Sequence, residues 1–231
     1  MKKSRIISNV IIALMLVTLV GLSYSNARAL YTQADSRVIY SGDTSTQNVS
    51  FMINVYQGNE QVLDLLDIFD VYKVKATFFV GGSWAVKNLD VVKEIYTRGH
   101  ELGNHGFYHK DQDTLDFESN KQEIEMCHKV IKENLGIEMT LFAPPSGAYN
   151  INTVDAAVSL NYKTIMWTRD TIDWRDQDAD LIFKRAIKDL KGGDLILMHP
   201  TEKTVQAMTN ILSHAVNNGY NPTIVSNCIS G

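Results

Sequence analysis

The sequence has few of the residues that build redox sites or thiolate metal sites. Its 231 residues include two cysteines, Cys127 and Cys228, and no CxxC pair. Two cysteines this far apart do not define a disulfide, and both can be buried free thiols. Any metal or catalytic site must therefore be built from other side chains.

Basic stretches are also scarce. The 22 lysines and arginines are outnumbered by 26 aspartates and glutamates, which gives a formal net charge of -4. No basic stripe is present that would neutralise phosphates, so we expect no nucleic-acid partner. The composition is otherwise that of a globular protein, and the length is typical of one domain.

The N-terminus departs from this globular pattern. Residues 1–5 form a positive leader, residues 6–22 are mostly apolar, and residues 27–29 (ARA) resemble a signal-peptidase site. We predict an exported protein, either secreted or anchored to the outer face of the membrane, with membrane contact through this segment alone. An uncleaved anchor and a buried first helix are the alternatives. The expected organisation is a signal segment at 1–29, a linker at 30–47 and a domain at 48–231.

From Val49 onward, short apolar runs alternate with amphipathic stretches of helical spacing. Such alternation predicts right-handed crossovers and a parallel sheet. With about seven units, we predict an α/β fold, a deformed (β/α) barrel, with a doubly wound open sheet as the alternative. The predicted strands are 49–53, 76–80, 101–102, 141–143, 163–167, 194–198 and 223–225, and the predicted helices are 60–72, 89–98, 119–134, 152–160, 179–190 and 205–217.

Unusual polar residues and prolines follow these strands. In a parallel barrel the carboxyl ends of the strands meet at one mouth, where functional sites are usually built. The sequence therefore nominates one pocket formed by Asn54, His105, the pair Pro144 and Pro145, Asp170 and His199.

His105 and His109 are spaced four residues apart. In a helical turn they would lie on one face, about 5–6 Å apart between Cβ atoms, which is close enough to share a metal ion. A bare pair at this spacing is also typical of two surface histidines in a loop.

The surrounding residues resemble the polysaccharide deacetylases, which are the NodB-like carbohydrate esterases. Residues 99–109 (GHELGNHGFYH) are similar to the metal-binding motif of that family. Four further segments resemble family motifs in the same order, namely 76–80 (ATFFV), 142–147 (FAPPSG), 170–174 (DTIDW) and 195–199 (LILMH).

The resemblance implies a hydrolase that removes N-acetyl groups from cell-wall or related glycans such as peptidoglycan or a chitin-like oligomer. It implies a divalent metal, usually zinc, that activates water and polarises the acetamide carbonyl. His105 and His109 would bind that metal, and His199 would be the general acid, held in the correct tautomer by Asp170. The resemblance also places Pro145 and Trp174 at the substrate, although Trp174 can equally be a core aromatic.

The first motif of the family, Thr-Phe-Asp-Asp-Gly, is not retained. Aligned without a gap, Asn54 replaces the catalytic base and Val55 the metal-binding aspartate; aligned on the glycine, Tyr56 and Gln57 replace them. The arginine of the third motif is replaced by Ala143. Asn54 can bond through its amide but cannot accept a proton at neutral pH.

Three interpretations follow from these losses. Glu60 or another carboxylate can supply the missing group in an active enzyme. Alternatively, the protein binds glycan without turnover, or it serves as an envelope or sporulation scaffold, since the chain resembles a divergent branch of the family from spore-forming bacteria. Arg169 is a weak substitute for the lost arginine, because strand alternation points it away from Asp170.

Overall fold

The computed structural model describes residues 37–230, together with Met15, Leu16 and Thr18. Apart from those three positions, the predicted signal segment lies outside the described residues. Among the described helices, none is long and apolar enough to cross a membrane. The elements below belong to one compact unit that begins at Val38.

The unit alternates strands and helices as the sequence pattern predicts. Its strands are β1 (Val38–Ile39), β2 (Asn48–Val55), β3 (Thr77–Val80), β4 (Glu101–Asn104), β5 (Leu141–Phe142), β6 (Lys163–Ile165), β7 (Arg169–Asp170), β8 (Leu195–Met198) and β9 (Asn221–Thr223). Its helices are α1 (Asn59–Tyr72), α2 (Gly82–Lys87), α3 (Leu89–Thr97), α4 (Phe117–Leu135), α5 (Ile151–Ser159), α6 (Ala179–Ile187), α7 (Glu202–Asn217) and α8 (Val225–Ile229).

All strand pairs are parallel, in the order β1-β6-β5-β4-β3-β2-β8-β7, and β9 pairs with the start of β2. Strands from both halves of this order contribute to one interior cluster, which includes Met52, Phe79, Ile165 and Leu195. The sheet must therefore curl around these side chains. The predicted deformed barrel is confirmed, and its edge strands β1 and β7 are not paired with each other in the described structure.

The other face of the sheet packs against the helices. Along β2, Phe51, Ile53 and Val55 belong to this helix-side core, whereas Met52 belongs to the interior cluster. This alternation is the period of two that a strand imposes on its side chains. Consequently Asn54 lies on the interior face, at the carboxyl end of the strand.

The boundaries differ from the sequence prediction at several points. Part of the predicted linker forms edge strand β1, in which Val38 is buried. Helix α5 begins one residue before its predicted start, and Asn150 caps it by exchanging hydrogen bonds with Thr153 in a capping box. Val225, predicted to end the last strand, begins helix α8.

Cys127 and Cys228 are both free and buried. Burial raises the pKa of each thiol to about 12. At neutral pH both thiols are therefore protonated and act as small apolar groups.

Candidate functional site

A cavity of about 510 Å³ opens at the carboxyl ends of the strands. That is where a parallel barrel usually builds its functional site. The cavity brings together five residues nominated from sequence, Asn54, His105, His109, Asp170 and His199, and also Trp174. Its other lining residues are Tyr56, Gln57, Ser146, Gly147, Trp167, Gln177, Leu197, Pro200 and Thr201.

His105 follows β4 directly and is buried. Its Nδ1 atom lies 2.7 Å from the carbonyl oxygen of Ala143, at the end of β5. Because a carbonyl only accepts, Nδ1 carries the proton and Nε2 keeps its lone pair. Burial, reinforced by the neighbouring imidazole of His109, lowers the pKa of His105 to about 3. The ring is thus neutral at physiological pH, with one free acceptor atom.

The turn from His105 to His109 is not helical. Gly106 has a φ of 70° and His109 a φ of 56°, both in the left-handed region. Glycine adopts that region readily, whereas histidine does so at a cost. The two imidazole centroids nevertheless lie 5.1 Å apart.

A buried carboxylate holds this turn in place. Glu123 on α4 is 3% exposed and accepts hydrogen bonds from the backbone N–H groups of Phe107 at 2.9 Å and Tyr108 at 2.7 Å. Its second oxygen lies 3.2 Å from Nζ of Lys110. Glu123 therefore fixes the backbone between the two histidines, a role that its position in the sequence did not indicate.

Tyr56 covers one side of His109. The two ring centroids are 4.7 Å apart, and the Tyr56 hydroxyl bonds with Ser83 Oγ at 3.2 Å. Burial lowers the pKa of His109 from its ordinary value. His109 is thus enclosed by Tyr56 and His105.

His199, at the end of β8, is oriented by Asp173. Its Nδ1 lies 2.8 Å from Oδ1 of Asp173, and its backbone N–H donates to Oδ2 at 2.7 Å. Thr204 donates its hydroxyl to the same Oδ2 at 2.6 Å. Asp173 is fully buried, so this carboxylate holds the ring with Nδ1 protonated and leaves Nε2 free.

The prediction that Asp170 orients His199 is therefore wrong. Asp170 lines the cavity, but its Oδ1 accepts the backbone N–H of Ile172 at 2.8 Å. Ile172 has a φ of 55°, which is rare for a β-branched residue. Asp173, three residues after Asp170, is the carboxylate that hydrogen-bonds to His199.

The cavity has no carboxylate in the place of the first motif. Asn54 lines the wall and is 4% exposed, whereas Val55 is buried in the helix-side core. Tyr56 and Gln57 also line the cavity. Glu60, in the first turn of α1, is not among the lining residues, so it does not supply the missing group.

Three further expectations can be compared with the structure. Trp174 lines the cavity and is 58% exposed, so it is not a core aromatic. Pro145 is buried and does not line the cavity; its neighbours Ser146 and Gly147 do. Arg169 bonds to Asp194 at 2.7 Å, away from the cavity, as strand alternation predicts.

These residues do not fit a resident zinc ion. A catalytic zinc site has three protein ligands from histidine, cysteine or carboxylate. In the described part of the chain no group of three or more such side chains could hold a metal ion. His105 and His109 supply two imidazoles, and the neutral amide of Asn54 is a weak oxygen donor.

The parallel deformed barrel, with a histidine pair and an aspartate-held histidine at its mouth, defines the class of polysaccharide deacetylases. A sequence profile described as polysaccharide deacetylase matches residues 42–165, more than half of the chain. The chain belongs to this family and is a deacetylase-like protein.

Three relatives place it within the family. A peptidoglycan-N-acetylglucosamine deacetylase of Bacillus cereus is 33% identical over 72% of this chain and 79% of its own length. An uncharacterized Bacillus subtilis protein is 35% identical over 79% of this chain, which spans 57% of that protein. A crystal structure of a family CE4 pseudoenzyme from Bacillus anthracis superimposes with a TM-score of 0.81 at 32% identity, covering 84% of this chain and 69% of that chain. A mutant of that pseudoenzyme has restored enzymatic activity.

Proposed function

We propose that this protein binds the N-acetyl groups of cell-wall glycan, peptidoglycan foremost, in the cavity at the mouth of the barrel, without efficient hydrolysis. The observation that carries this proposal is Asn54, a neutral amide on the cavity wall where the family places its base. The B. cereus relative, which is named for peptidoglycan, supports the ligand class.

The cavity has the chemistry of a sugar site. Trp174 offers an exposed aromatic face, and Trp167 and Tyr56 also line the cavity. Aromatic rings pack against the apolar faces of ligands while polar groups set their orientation. Nε2 of His105 and Nε2 of His199 provide such polar groups.

Turnover is disfavoured for a chemical reason. A positioned general base contributes roughly 10²–10⁴-fold to a rate, and the amide of Asn54 cannot take up a proton at neutral pH. The donor set also does not fit zinc, so no water-activating metal is expected to reside here. We therefore expect hydrolysis slower by at least about 10²-fold than in a family member with both aspartates.

Metal-dependent hydrolysis of the N-acetyl C–N bond is the second candidate function. The observation that favours it is the intact pair of His199 and Asp173, whose geometry suits protonation of a leaving amine. In that case another group must act as base, and zinc supplied in solution must bind despite the incomplete donor set.

One experiment separates the two candidates. The full chain is incubated with peptidoglycan and with acetylated chitooligosaccharides, with zinc, cobalt or a chelator in parallel, and both released acetate and bound glycan are measured. We expect binding without acetate release. Chelator-sensitive release that His105→Ala abolishes would overturn the proposal in favour of the hydrolase.

Two gain-of-function variants serve as positive controls for this assay. Asn54→Asp is combined with Val55→Asp, following the gapless alignment, or with Tyr56→Asp, at the neighbouring position that lines the cavity. Acetate release by either double variant, with none from the wild type, would show that the missing carboxylates limit turnover.

Export is part of the same proposal, because peptidoglycan lies outside the membrane. The basic leader and apolar run at 1–22 support it. Cell fractionation with N-terminal sequencing of the mature protein tests this, and recovery of the full chain in the cytoplasm would contradict it.

A further inference from the structure

Asn54 carries a buried polar group that no protein atom satisfies. Within the described structure its Oδ1 has no hydrogen-bond partner, and the residue is 4% exposed. An unsatisfied buried acceptor costs about 1–3 kcal/mol. Such a group therefore calls for an explanation.

The neighbours of Asn54 within the sheet leave one direction open. Across the ladder Asn54 lies beside Phe79 of β3, and Met52, two residues earlier on the same face, is fully buried in the interior cluster. On the β8 side Met52 pairs with Leu197 and Ile53 with Met198, so the same register continues to the cavity residue His199 opposite Asn54. Phe79 and Met52 are apolar, and no protein atom of the described structure bonds to Asn54 Oδ1, so a partner for this oxygen has to come from the cavity that Asn54 lines.

Rotation of the amide brings either of its atoms to that cavity. The torsion between Cβ and the planar amide is broad and roughly two-fold, so oxygen and nitrogen can exchange places at low cost. The side chain then offers a neutral acceptor and a neutral donor, with no charge.

We propose that Asn54 is the residue by which this cavity selects an acetamide over a free amine, an inference that rests on the proposed glycan-binding function. The acetamide N–H of an N-acetyl sugar donates to the Asn54 oxygen. A deacetylated sugar instead brings an ammonium group, and the neutral amide of Asn54 gives that group no anionic partner at this position, which disfavours its burial there. An aspartate at position 54 would reverse that preference.

The test compares binding of tetra-N-acetylchitotetraose with binding of the fully deacetylated tetramer, measured by isothermal titration calorimetry on the full chain. We expect the wild type to favour the acetylated ligand. Asn54→Leu should weaken binding of that ligand about 10-fold to 100-fold, the effect of one lost hydrogen bond in a buried site. Asn54→Asp should keep an acceptor but shift the preference towards the deacetylated tetramer.

Ser50→Ala is the matched control. Ser50 lies on the same strand, is fully buried and has an unpartnered Oγ, but it does not line the cavity. Its substitution should leave both affinities unchanged. Asn54→Leu removes an unsatisfied group, so thermal unfolding should show a variant at least as stable as the wild type.

The possible failures are distinguishable. If the wild type binds neither tetramer, the proposed function itself is wrong. If it binds the acetylated tetramer and Asn54→Leu keeps the full preference, or Asn54→Asp fails to change the preference, only the role of Asn54 is overturned.

Discussion

Replacing Glu123 tests whether one buried carboxylate holds the turn that carries His105 and His109. Glu123→Leu leaves the N–H groups of Phe107 and Tyr108 without their acceptor. Each unsatisfied buried donor costs about 1–3 kcal/mol of folding free energy. The lower half of that range applies here, because Phe107 is half-buried and Tyr108 is exposed.

The ion pair with Lys110 adds little to this cost. Lys110 is 52% exposed, and exposed pairs contribute about 0–1 kcal/mol. The expected loss for Glu123→Leu is thus about 2–4 kcal/mol in the free energy of unfolding. Glu123→Gln keeps an acceptor but loses its charge, which roughly halves the strength of these bonds, and should cost about 1–2 kcal/mol.

Urea unfolding measures these differences, with Glu125→Gln as the control. Glu125 lies on the same helix, is 52% exposed and pairs loosely with Lys121 at 3.8 Å. Its substitution should change stability by less than about 0.5 kcal/mol. Hydrogen exchange supplies the local readout, since the Phe107 and Tyr108 amides should lose protection in Glu123→Leu. The reasoning is refuted if Glu123→Leu matches the control in stability and these amides keep their protection.

Three further predictions concern stability and the polar interactions around the site. Burial lowers the pKa of His100 to about 4. As the pH falls, the His100 imidazole therefore becomes protonated at a lower pH in the folded protein than in the unfolded chain. The free energy of unfolding should decrease as the pH falls below about 6.5, by about 2–3 kcal/mol at pH 4.5. Urea titrations at several pH values measure this decrease, and His100→Gln should remove the part that His100 contributes. Asp173→Asn should lower the free energy of unfolding by about 2–4 kcal/mol, and Asp170→Asn should lower it by less than about 1 kcal/mol. Equal decreases for the two variants in urea unfolding would contradict the assignment of Asp173 as the partner of His199. Arg169→Leu leaves the buried carboxylate of Asp194 without its ion-pair partner, so it should lower the free energy of unfolding by about 3–5 kcal/mol. Glycan affinity should be unchanged, and weaker glycan binding would show that Arg169 belongs to the site.

The architecture of the site could be predicted because it depends on a repeating pattern. Parallel strands align their carboxyl ends, so residues that follow predicted strands converge even when they are far apart in the chain. Asn54, His105, Asp170 and His199 were placed at one cavity in this way. The same argument nominated Pro144 and Pro145, which do not line the cavity, whereas Trp174, which the family resemblance placed at the substrate, does.

The partner of His199 could not be predicted by position in a motif. Asp170 and Asp173 are three residues apart, and either can be nominated from the sequence. The left-handed backbone at Ile172 decides between them, and it arises from the packing of this segment against β8 and α7. Local residue preferences disfavour that conformation, so no local pattern in the chain indicates it.

The sequence by itself determined the alternation of strands and helices, the set of residues at the mouth of the barrel, and the absence of the first-motif carboxylates. The first two depend on residue type and short-range periodicity, whereas the missing carboxylates are recognised by comparison with the motif of the family that the chain resembles. Only the tertiary structure decided that Asp173 holds His199, that Glu123 anchors the histidine turn and that Asn54 Oδ1 has no partner among the described protein atoms. The bonds from Asp173 to His199 and from Glu123 to the histidine turn join residues 15 or more positions apart, and their geometry is set by packing between elements, which local pattern does not encode.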